Sequence, residues 1–124
     1  MEEPLHLQQV RLVSVQEFLD MHERGIYTAE DRLELIEGWM VEKMTKKPPH
    51  IRSANLLLRP LLPLLSEEWT LNSETPVVLE GSIPEPDFSI LRGPLDDFAD
   101  RLPTAADVAL VIEIADTTLA SDRA

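Results

Sequence analysis

Three acids fall where strands would carry them. Asp87 follows Pro86 at the start of one apolar run, Glu113 lies near the end of another, and Glu34 sits inside a third. If the strands bearing Asp87 and Glu113 are neighbours, the two carboxylates converge. Nearby carboxylates repel, and a shared proton or a cation relieves the repulsion. Oxygen ligands suit Mg²⁺, which usually keeps several waters. The carbonyl of Ile114 would be a further ligand, and Glu34 a third carboxylate. With 23 acids in the chain, the same spacing also suits solvated or salt-bridged side chains, and spacing alone does not choose between them.

The elements that must position these residues are legible in outline. Ser14-Val15-Gln16-Glu17 has the form of a capping box, opening a short helix that Gly25 would stop. His22 on that helix reads as a surface histidine. Arg32 to Glu42 reads as two short strands around the Glu37-Gly38 turn, with Leu33 and Leu35 on one face and Glu34 on the other. A helix is expected from about His50 to Leu65, with Ile51, Ala54, Asn55, Leu58, Leu61, Leu62 and Leu65 on its apolar face. Pro60 and Pro63 should kink it or end it early. Strand-like runs come next at Glu68–Leu71, Thr75–Leu79 and Pro86–Leu91, then a surface loop from Gly93 to Ala106. Asp107 to Ile114 is almost continuously apolar and reads as a central strand covered on both faces. The tail from Ala115 resembles a loop entering another element, so the chain is expected to be C-terminally truncated.

Composition narrows the class. The 124 residues suit one domain, and 44 % hydrophobic content is that of a globular chain. Without cysteine there is no disulfide, thiolate metal site or cysteine nucleophile. Neither a long apolar run nor a basic-then-apolar leader is present, so a cytoplasmic protein without membrane contact is expected. Eleven bases against 23 acids give a net charge of −12, which repels nucleic acid at long range. One stretch differs. From Lys43 to Arg59 there is no acid, and five bases (Lys43, Lys46, Lys47, Arg52, Arg59) form an island. It suits either a solvated loop and helix face or a local phosphate contact.

Four segments, in order and spacing, resemble the Uma2 family, a group of small endonucleases with the restriction-endonuclease-like fold of the PD-(D/E)xK superfamily. Arg32-Leu33-Glu34-Leu35-Ile36-Glu37-Gly38 resembles its early strand and turn, and Pro49-His50 its proline-then-histidine helix start. Glu85-Pro86-Asp87-Phe88-Ser89-Ile90 resembles its E-P-D strand. The run from Val111-Ile112-Glu113-Ile114 to Asp122-Arg123 resembles its V-x-E-(V/I)-S-D-(S/T)-x-L-x-x-D-R segment. The resemblance covers about Ser14 to Arg123. It implies an α/β (α+β) fold with a mixed central sheet flanked by helices, incomplete in this chain, with residues 14–124 as the N-terminal portion of the domain and 1–13 as an arm.

The resemblance also assigns roles. Asp87 and Glu113 match the two metal-binding acids, with the Ile114 carbonyl beside them. Glu34 matches an acid supplied from an earlier element. His50 matches a histidine that orients a water or contacts substrate, and Asp122 an acid with a positioning role. Where the superfamily carries a lysine two residues after the second acid, this chain has Ala115. The variant pattern it resembles places that lysine on a following helix, past Ala124. The implied activity is Mg²⁺-dependent hydrolysis of DNA phosphodiester bonds, with Mn²⁺ as an alternative ion and a homodimer as a natural way to cut both strands. The chain as it stands is expected to be inactive. Two other classes fit the same residues: a non-catalytic binding or regulatory domain that kept the fold, and a metal-dependent phosphohydrolase of small phosphate esters.

Overall fold

The computed structural model describes residues 10–44 and 46–115. Two helices and two antiparallel sheets make the class α+β. The chain divides into two compact units. One takes the chain up to Lys43 with Leu79–Pro84, the other Met44–Val78 with the chain from Glu85 onward.

The first unit begins with α1, Val15–Glu23. Its start is chemically specified. The Ser14 hydroxyl accepts from the Glu17 backbone N–H at 3.1 Å, and a Glu17 carboxylate oxygen accepts from the Ser14 N–H at 3.0 Å. Two of the helix's unmade backbone bonds are thereby satisfied. The strands β1 (Leu33–Ile36) and β2 (Trp39–Glu42) pair antiparallel, Leu33 opposite Glu42 and Ile36 opposite Trp39. The turn between them has Glu37 at φ 48° and Gly38 at φ 91°. Two successive left-handed residues match the twist of a tight hairpin. Leu35 and Leu33 face inward, as their alternation predicts. Leu35 is fully buried with Phe18, Tyr27 and Ile83, and Leu33 packs against that cluster. The Tyr27 hydroxyl donates to the Phe18 carbonyl at 2.9 Å, so its polar tip is satisfied inside the core. Trp39 on β2 is 56 % exposed.

The second unit opens with α2, Pro48–Leu61, continued by a 3-10 turn at Leu62–Leu64. The helix starts two residues earlier than expected, because prolines at its first positions lack only N–H groups that have no helical partner anyway. It runs through Pro60 and changes to the tighter turn just beyond. Its inner stripe, half-buried, is His50, Ala54, Leu57, Leu58 and Leu61, whereas Ile51, Asn55 and Leu62 are exposed.

The sheet of this unit has the order β3-β4-β5, from Trp69–Ser73, Phe88–Arg92 and Val108–Ile112, all antiparallel neighbours. Two sequence expectations change here. Thr75–Leu79 is not a strand; only Val78 forms a bridge, to Thr104. Its apolar residues serve as packing, with Val77 buried, rather than as a ladder. The central strand is β4, where Phe88, Ser89, Ile90 and Leu91 are all buried, and not β5. Among the described residues β5 lies at the edge, with Leu110 and Val111 about half exposed. A continuous apolar run shows that a segment favours burial, but not which neighbour lies on its far side. Trp69 on β3 is 40 % exposed and lies opposite Arg92 on β4.

Candidate functional site

Among the described residues of the second unit, one charged side chain is held almost entirely away from water. Asp87, immediately before β4, is 2 % exposed. An ionised carboxylate in such a place needs hydrogen bonds and a counter-charge, and three elements supply them. From the far end of β5 the backbone N–H of Ile114 donates to Asp87 Oδ2 at 2.7 Å. The register explains this contact: Phe88 pairs with Ile112, so the chain leaving β5 runs beside Asp87. From the inner stripe of α2, His50 Nε2 lies 3.3 Å from Asp87 Oδ1. That approach is too far out of line to be a hydrogen bond, and Nε2 is buried without a hydrogen-bond partner. From the segment before α2, Lys46 Nζ lies 3.8 Å from the same Oδ1 and forms a close ion pair with Glu74 Oε1.

Glu74 is placed by the sheet. It comes directly after β3, and its N–H donates to the Asp87 carbonyl at 3.1 Å, extending the β3–β4 ladder by one rung. Its backbone has φ 52°, a left-handed conformation that side chains with a Cβ rarely adopt. Ser89, on β4 two residues after Asp87, is 1 % exposed, and its hydroxyl is buried without a hydrogen-bond partner among the described residues.

Asp87, His50 and Ile114 are thus brought together, and the group of Ile114 that reaches Asp87 is its N–H rather than the carbonyl expected as a ligand. Glu113 lies between β5 and Ile114 with an exposed side chain. Glu34 belongs to the first unit, half-buried on β1 opposite Val41. Asp122 lies outside the described residues. Sequence reasoning missed Lys46 and Glu74 as parts of this site. In the sequence Lys46 is one base of an island that could face phosphates. The only signal that could have singled it out is the demand of a buried acid for a cation, and that demand emerges only once Asp87 is known to be buried.

Among the described residues no three histidine, aspartate or glutamate side chains converge as a ready set of metal ligands. The donor chemistry at Asp87 nonetheless suits a hard cation. The oxygens are carboxylate, and the space on the Oδ1 side is already taken by a positive group. Asp87 thus offers the oxygen donor that a hard divalent ion such as Mg²⁺ takes, whereas the Glu113 side chain is exposed.

A family model, Uma2, described as "Putative restriction endonuclease", matches residues 15–124. No curated protein and no solved structure matches the chain.

Proposed function

The chain belongs to the Uma2 family, and from that premise we propose that it is a metal-dependent endonuclease domain hydrolysing phosphodiester bonds of DNA. The observation that carries this reading is the buried Asp87 carboxylate, held by the Ile114 amide at 2.7 Å. A structural acid is ordinarily left at the surface, and burying one is costly. Active sites accept that cost because a fixed, dry charge needs no reorganisation during reaction.

Each residue contributes in a definable way. The Ile114 N–H fixes one carboxylate oxygen of Asp87, which leaves the other directed at His50 and Lys46. His50 limits the rotation of that carboxylate and offers a buried ring nitrogen at its edge. Asp87 and Glu113 would hold Mg²⁺ or Mn²⁺, which when bound polarises a phosphate and lowers the pKa of its water. Arg52 and Arg59 on α2, both exposed, would contact backbone phosphates, which orients a duplex without reading its sequence.

The test is cleavage of supercoiled plasmid by the native gene product in Mg²⁺ and in Mn²⁺, beside Asp87→Asn. The asparagine keeps an acceptor for the Ile114 N–H and removes the charge. Cleavage in the wild type that is lost in the variant, with melting temperature largely kept, supports the endonuclease. Cation binding without DNA cleavage would move the substrate to small phosphate esters.

A second reading has its own observation. Lys46 already neutralises Asp87, so the fold could persist with no metal at all, as a non-catalytic binding domain. Its signature would be a melting temperature indifferent to divalent ions.

A further inference from the structure

We propose that the Lys46 ammonium occupies the cation position of the Asp87 site and competes there with divalent metal, and that Glu74 both holds Lys46 in that position and ligates the ion that replaces it. The proposal rests on the reading of Asp87 as a metal-holding acid and assigns two residues to it.

Four observations carry it. First, the ammonium bridges two carboxylates: it pairs closely with Glu74 Oε1 and lies 3.8 Å from Asp87 Oδ1. One cation between two acids is the arrangement a metal ion would take. Second, the Lys46 side chain is only 20 % exposed. Lysine side chains are mostly exposed, so one held this far from water and beside two acids marks a place that demands positive charge. Third, Glu74 is delivered by a constrained backbone, with φ 52° and its N–H tied to the Asp87 carbonyl. Left-handed residues other than glycine persist where the surroundings impose them, often at functional sites. Fourth, the site retains bonding capacity that Lys46 does not use. The hydroxyl of Ser89, two residues from Asp87 in the chain, and His50 Nε2 are buried without hydrogen-bond partners among the described residues. Waters carried by a hydrated divalent ion would supply partners for such groups.

The competition is electrostatic. An ammonium brings one charge and an ordered side chain, whereas a divalent ion brings two charges and its own waters. Lys46 therefore offsets part of the acids' charge without metal, and raises the metal concentration at which exchange occurs.

The experiment is a calorimetric titration of Mg²⁺ and Mn²⁺ into the native gene product, with melting temperatures measured in parallel for Lys46→Met, Lys46→Gln, Glu74→Gln and Asp87→Asn. Both Lys46 variants are expected to bind the ion about tenfold more tightly than the wild type, the size set by losing one competing charge near contact distance. Their melting temperatures should rise more on adding metal than that of the wild type. Glu74→Gln is expected to bind it more weakly, and Asp87→Asn not at all. If one Lys46 variant does not fold, the other carries the comparison. Binding that depends on Asp87 but is unchanged or weakened by loss of Lys46, or unaffected by Glu74→Gln, overturns this proposal and leaves the metal reading standing. Absence of binding in every protein, Lys46 variants included, overturns both.

Discussion

The Asp87 carboxylate sits at 2 % exposure, and a change that removes Lys46 takes away a cation beside it. Replacing Lys46 with methionine should destabilise the metal-free protein by about 1–3 kcal/mol, less than for a fully buried pair because Lys46 keeps some contact with water. Urea denaturation in a chelating buffer measures this, and added Mg²⁺ should recover much of the loss. A different constraint acts at Gly38. Its φ is 91°, and a Cβ added there would lie 2.7 Å from Leu12 Cβ, an atom fixed to the backbone that cannot swing aside. Gly38→Ala should therefore destabilise by more than about 1 kcal/mol, whereas the same replacement in a compatible conformation stabilises slightly. The acids of the motif could be read from the sequence because their residue types and order carry the resemblance. Lys46 and Glu74 could not. Glu74 reaches the site through the β3–β4 register, and Lys46 through the path of the chain into α2, neither of which a local pattern encodes.

Among the elements, β4 and β5 provide a direct contrast. Both are five-residue strands, β5 the more apolar of the two, yet Leu91 on β4 is fully buried and Leu110 on β5 is 49 % exposed. Leu91→Ala should cost about 2–5 kcal/mol and Leu110→Ala less than about 1 kcal/mol, as read from denaturant midpoints at constant slope. Equal losses would show that β5 is covered. The sequence located the hairpin around Gly38, the capped α1 and the strand after Pro86, because each is specified by residues close together along the chain. It misplaced the central strand, since centrality depends on partners distant in sequence. The cap of α1 also responds to pH. The Arg11 side chain, then the Ser14 backbone N–H, hold the Glu17 carboxyl at about 2, below its ordinary 4.5. A depressed acid stabilises the fold fully above its ordinary value, and the contribution disappears as pH falls from 4.5 towards 2. The stability difference between wild type and Glu17→Gln should thus be constant at neutral pH and shrink over that acidic window. Asp107, held well below its usual 3.8 by Arg101 and by the Thr104 backbone N–H, should behave in the same way.

For the whole molecule, net charge and local charge oppose each other. The chain carries −12, while Arg52 and Arg59, seven residues apart on α2, share one exposed helix face. If that face meets DNA, Arg52→Ala with Arg59→Ala should weaken binding about equally for all sequences and flatten the salt dependence by about two phosphate contacts, as measured by filter binding at several ionic strengths. Lys46 should not contribute to that slope, because its charge is already committed to two acids. Composition made the acidic balance and the basic island plain from the start. It could not divide the island into one residue that serves the interior and others that face solvent.

The two tryptophans are distributed one to each compact unit, Trp39 on β2 and Trp69 on β3. Each unit therefore contains its own intrinsic fluorophore. Trp39→Phe leaves the emission of the second unit alone, and Trp69→Phe that of the first. Both rings are partly open to solvent, so quencher access and lifetime report more than the emission maximum. Denaturant curves that coincide in the two variants would describe one cooperative transition, and curves that separate would resolve two steps and say which unit opens first.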